Sequence, residues 1–166
     1  MGIIISSFPG CGKNYLMNTH GNKAKMVDAV AEFRHYREPT DDTHDYDYNL
    51  FVDAMMKDID KYDIIFLPSD KKYLKVLNER NIDYDLFYPS KERRGEFIEN
   101  MVRKRMKPQD IMILDRDFDK MIKELDDIED ENCYKHKMSE GGHFIGNDSS
   151  IMQYINNLKQ TQETNE

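Results

Sequence analysis

The residues with the clearest chemical potential lie near the start of the chain, in Ser6-Ser7-Phe8-Pro9-Gly10-Cys11-Gly12-Lys13-Asn14-Tyr15-Leu16. This string follows an apolar run and leads into a stretch of helical pattern. Glycines at 10 and 12 let the backbone bend so that successive N–H groups converge, and the positive end of the following helix adds to them. Such a turn holds an anion. Lys13 would place an ammonium on the β and γ phosphates of a nucleotide. The expected phosphate cup is therefore Pro9, Gly10, Cys11, Gly12, Lys13, Asn14 and Tyr15.

Acids that could serve such a cup occur at two strand ends. Asp28 closes a second apolar segment and is expected beside the loop, where a carboxylate can take the proton of an attacking hydroxyl. The same residue type also suits the cap of a following helix. Asp70 comes shortly after the strand-like run Asp63 to Leu67, a position that suits a helix cap. Positive charge gathers between Lys91 and Lys107, seven Lys or Arg against three Glu, in a chain whose net charge is −8. Read as one continuous helix, this segment brings Arg94 and Arg105 to within about 20° of each other, on the stripe of Ile98 and Met101. Both arginines then face bound phosphate and neutralise the transferred group, while Arg103 faces water. A solvated face paired with Glu92, Glu96 and Glu99 is the plainer alternative.

The elements that must position these residues follow from the pattern of the 166 residues, which is the length of a single domain. Hydrophobic residues at 39% and charged residues at 34% give a compact core and exclude a disordered chain. Strands are expected over Gly2 to Ser6, Ala24 to Asp28, Asp63 to Leu67, Tyr84 to Tyr88 and Tyr134 to Met138. Helices are expected over Lys13 to Thr19, Leu50 to Asp58, Lys71 to Arg80, Lys91 to Arg105 and Pro108 to Leu125. Alternation of this kind needs crossover helices on both faces of a mostly parallel sheet. The result is an α/β three-layer sandwich, with one domain over 1–158, a basic lid-like helix over 91–107, and a frayed polar tail over 159–166. The segment Pro39 to Tyr48 carries Asp41, Asp42, His44, Asp45, Tyr46, Asp47 and Tyr48, and could stack an acceptor base or simply be solvated. Ser139 to Phe144, with Gly141 and Gly142, could wrap an adenine or form a plain turn. Two cysteines are too few for a disulfide framework, and the opening apolar run is far short of the roughly 20 residues of a membrane span. A cytoplasmic protein with no membrane partner is expected.

Phe8 to Lys13 reproduces the F-P-G-x-G-K string, and the chain thereby resembles P-loop phosphotransferases of the nucleoside monophosphate kinase and polynucleotide kinase type. Its order of elements is also similar to that of small bacteriophage P-loop proteins, which would place it in the host cytoplasm. The resemblance implies a P-loop NTPase fold, ATP and Mg2+ as cofactors, and a nucleotide substrate such as a deoxynucleoside monophosphate. It equally admits a kinase of a nucleic-acid hydroxyl, contacting the polymer through 91–107. Two departures matter. Ser7 stands where the motif has its first Gly, and Asn14 replaces the Ser or Thr whose hydroxyl ligates magnesium. By the same resemblance Asn14 and Asp70 are the metal candidates, Asp70 standing later than the acid that usually ends the family's third strand. A catalytically silent nucleotide-binding module, acting on a host protein or sequestering a nucleotide, is the reading that Asn14 and the delayed acid favour.

Overall fold

The computed structural model describes residues 2–33 and 47–164. Five strands, β1 (Ile3–Ser7), β2 (Met26–Asp28), β3 (Ile64–Pro68), β4 (Tyr84–Pro89) and β5 (Cys133–Met138), form one sheet in the order β2-β3-β1-β4-β5. Every pairing is parallel. Among the described residues there are seven helices: α1 (Lys13–His20), α2 (Ala29–Glu32), α3 (Tyr48–Lys57), α4 (Lys71–Glu79), α5 (Arg94–Arg103), α6 (Pro108–Asp126) and α7 (Ser149–Thr164). The fold is thus α/β. The sheet is parallel throughout rather than mostly so.

Consecutive residues of a strand point to opposite faces. In β3, Ile64, Ile65, Phe66 and Leu67 are all buried, as are Leu86, Phe87 and Tyr88 in β4. Helices therefore cover both faces, an arrangement compatible with three layers. β1 lies in the middle. From it the chain heads toward the β2 edge, whereas the connections leaving β3 and β4 head toward β5. Loops that part in opposite directions open a crevice at the carboxyl ends of the strands, and the loop after β1 sits in it.

Short polar residues set the helix starts: the carboxylates of Asp28, Asp47 and Asp70 accept from the amides of Val30, Leu50 and Lys72. The stop of α5 is a correction to the expected continuous helix over 91–105. Residues Lys91–Arg93 form a separate 3-10 turn, and α5 ends at Arg103. Arg105 takes φ +57°, Met106 N–H returns to the Met101 carbonyl at 3.2 Å, and Arg105 N–H to that of Val102 at 3.0 Å. This is the Schellman stop, with an arginine in the left-handed position that glycine usually fills. Asn81 ends α4 in the same way, at φ +56°. At the other end of the chain α7 carries the backbone through Thr164, past the point where a frayed tail was expected. No helix among the described residues is long and apolar enough to cross a membrane.

Candidate functional site

The loop after β1 is fixed from below. Phe8 N–H donates to the Phe87 carbonyl at 2.9 Å. Its buried ring meets Phe118 edge-on at 5.2 Å and Phe97 at 6.3 Å between centroids. Pro9 and Gly10 then turn the chain, closed by Cys11 N–H on the Phe8 carbonyl at 3.2 Å. Gly10 has φ +88° and Gly12 φ +95°, conformations that cost an L side chain about 1–2 kcal/mol. Space is also short: a Cβ at Gly10 would lie 3.1 Å from Met101 Cε, and one at Gly12 3.3 Å from Phe144 Cβ.

Immediately after Gly12, α1 begins without a side-chain cap. The amides of Lys13, Asn14 and Tyr15 consequently have no protein acceptor among the described residues. An anion would satisfy them. A cavity of about 480 Å³ opens at this point, lined by residues 9–14 of the loop and by Asp28, Asn100, Lys104 and Met106.

Asp28 belongs to the site, by a different route from the one expected. β3 lies between β2 and β1, so Asp28 is level with Phe66, which is itself level with Ile5. Its Oδ1 accepts from Val30 N–H at 3.1 Å, while Oδ2 accepts from Lys13 Nζ. The cap and the cavity carboxylate are one residue. Their side chains are only 31% and 27% exposed, so the Lys13–Asp28 pair is partly shielded from water.

Not all expected residues converge here. Asn14 lines the cavity, but Tyr15 does not, and its exposed ring lies over Gly146. Asp70 is exposed, caps α4 with a 2.9 Å bond to Lys72 N–H, and lines a neighbouring groove. No group of three or more His, Cys, Asp or Glu side chains suited to a metal occurs among the described residues. Arg94 is 48% exposed and donates to Asp115 on α6 at 2.9 Å. With α5 ending at Arg103, Arg105 no longer shares its stripe, and neither arginine lines the loop cavity. Arg103 faces water and pairs with Glu99 at 2.6 Å, as expected. Of the acidic and aromatic segment before α3, Asp41, Asp42, His44, Asp45 and Tyr46 lie outside the described residues, while Asp47 caps α3 and Tyr48 meets the Tyr73 ring at 4.9 Å.

Two cations escaped the sequence reading. Lys104 lines the cavity, one helical turn beyond Asn100. Arg93, only 4% exposed, supports the loop from behind. It makes a two-pronged pair with Glu96 at 2.8 and 3.0 Å, and donates to the carbonyls of His143 at 2.6 Å and Met138 at 3.3 Å. Its guanidinium lies 5.0 Å from the ring centroids of both Phe97 and Phe144, the residues whose side chains crowd Gly10 and Gly12. The Arg93 hydrogen bonds hold the Glu96 carboxyl below its ordinary range. Ile145 N–H donates to the Cys11 carbonyl at 2.9 Å, so the Ser139 to Phe144 segment and the turn after it brace the loop. Cys11 itself is buried, its thiol on the Phe87 carbonyl at 3.6 Å, and burial pushes its pKa far up, which leaves it no thiolate to react with. A sequence signal existed for Lys104: seven residues after Phe97, it falls within about 20° of that core position on a helix. Against known proteins, the chain matches no family model and no curated sequence.

Proposed function

We propose that the chain is an ATP-dependent phosphotransferase for a nucleotide-like acceptor. The observation that carries this reading is the meeting of Lys13, from the glycine-bent loop, with Asp28, from the end of β2, in one cavity beside three unpartnered helix amides. The amides suit the inner phosphates of ATP, and the Lys13 ammonium its β and γ phosphates. Once Lys13 turns to phosphate, the freed Asp28 carboxylate accepts the proton of the attacking hydroxyl. The new bond runs from that oxygen to the γ phosphorus, the bond to the bridging oxygen breaks, and ADP leaves. Magnesium, when bound with ATP, would neutralise charge across the β and γ phosphates. Asn14 is the loop side chain that would hold it, since Asp70 lines a neighbouring groove rather than this cavity.

Asp28 bears on the acceptor. A deoxynucleoside monophosphate arrives already ionised and needs no base, whereas a hydroxyl on a nucleic-acid end or a modified base does. The position of Asp28 therefore favours the hydroxyl reading over the monophosphate one. The test is incubation with γ-labelled ATP and magnesium against a panel of deoxynucleoside monophosphates, 5′-hydroxyl oligonucleotides and water alone. Label is expected in one acceptor class and is expected to vanish with Lys13→Ala. ATP binding with no transfer to any acceptor would leave a silent binding module. No ATP binding at all would end the reading.

A further inference from the structure

Three charged side chains line the loop cavity: Lys13, Asp28 and Lys104. Lys13 and Asp28 neutralise each other. Lys104 is exposed and has no ion-pair partner among the described residues, so the cavity's uncompensated positive charge is at its ammonium.

Lys104 is also held in place. It is the cap residue of α5, with its N–H on the Asn100 carbonyl at 3.0 Å, and the left-handed Arg105 locks the turn after it. Met101, three residues before, is buried with its Cε within 3.1 Å of where a Gly10 Cβ would lie. Residues three apart share a helix face, so the contact that seats α5 on the loop also directs Lys104 to the cavity. The backbone of Lys104 is fixed relative to the loop by one turn of helix. On a chain of net charge −8, its ammonium is well placed to draw in a polyanion.

We propose that Lys104 is a second phosphate-binding residue, supplied by the turn between α5 and α6, and that it contacts the γ-phosphoryl oxygens of ATP. The assignment rests on the phosphotransferase reading. With the helix-start amides on the inner phosphates, the outer phosphoryl group would fall to the remaining charged side chains of the cavity lining, Asp28 and Lys104. There its charge meets the ammonium both before and during transfer.

The experiment is a titration of the full chain with ATP and, separately, ADP, both with magnesium, using displacement of a fluorescent ribose-labelled nucleotide. Lys104→Ala is expected to weaken ATP by about tenfold or more and ADP by less than about threefold, the loss of one charge-assisted contact to the terminal phosphate. Lys104→Arg should stay within about threefold of the parent for ATP. Lys107→Ala, an exposed neighbour outside the cavity lining, should change either affinity by less than about twofold. ATP affinity undiminished in Lys104→Ala, or an equal loss for ATP and ADP, overturns the assignment while leaving the phosphotransferase reading intact. A parent protein that binds neither nucleotide overturns both. Thermal melts of the variants should coincide with the parent's, because the Lys104 side chain is exposed and makes no hydrogen bond or ion pair among the described residues.

Discussion

Lys13 and Asp28 occupy each other until something more attractive arrives. On the proposed function, an incoming polyphosphate would take the ammonium from the carboxylate, so that ATP binding and release of the base would be coupled through one ion pair. Asp28→Asn removes the competitor as well as the base. ATP should then bind up to about fivefold more tightly, the scale of a partly exposed ion pair, while transfer falls by about 10²–10⁴-fold. Equilibrium titration and labelled-phosphate assay read the two effects separately, and a variant that lost both affinity and turnover would contradict the coupling. This pair was half legible in the sequence. Gly10, Gly12 and Lys13 form a contiguous string whose geometry is local, and Asp28 ends an apolar run. Arg93 was not legible, because adjacent cations look alike until packing buries one, and Lys104 was marked only by its spacing from Phe97.

At the level of the element, α5 is decisive. Its start and stop determine which basic residues reach the loop. The stop lacks the glycine that marks such ends, so the basic run reads as one helix from Lys91 to Arg105 and wrongly aligns Arg94 with Arg105. Placing a glycine at that left-handed position removes a backbone penalty of about 1 kcal/mol, partly offset by the extra freedom of the unfolded chain. Arg105→Gly should accordingly raise unfolding stability by up to about 1 kcal/mol in urea titrations, with nucleotide affinity unchanged. Lower stability would mean the arginine side chain has a role beyond its backbone conformation. Strands were easier to read than this boundary. β3 is a continuous apolar run, β1 and β4 are mostly apolar with Ser6, Ser7 and Asp85 as the polar members, and β5 was the least distinct because its Lys135 and Lys137 lie at a sheet edge. The short α2 is a single turn whose cap, Asp28, was one of the two readings of that residue, whereas α7 carries only a scattered apolar stripe and was not anticipated.

Across the whole molecule, the α/β class and the number of strands could be read from alternating segments, whereas the strand order could not, because spacing does not say which parallel neighbour a strand takes. That order puts β3 rather than β2 beside β1, yet a side chain at the end of β2 still reaches across to Lys13. Cys11, sealed against the Phe87 carbonyl beneath the turn, gives this architecture a built-in clock. A thiol reagent can reach that sulfur only when the turn lifts away from β4, so in a Cys133→Ser background the rate of alkylation counts openings directly. ATP should slow the clock in proportion to its occupancy, and a rate indifferent to ATP would mean the nucleotide rests somewhere other than on this turn.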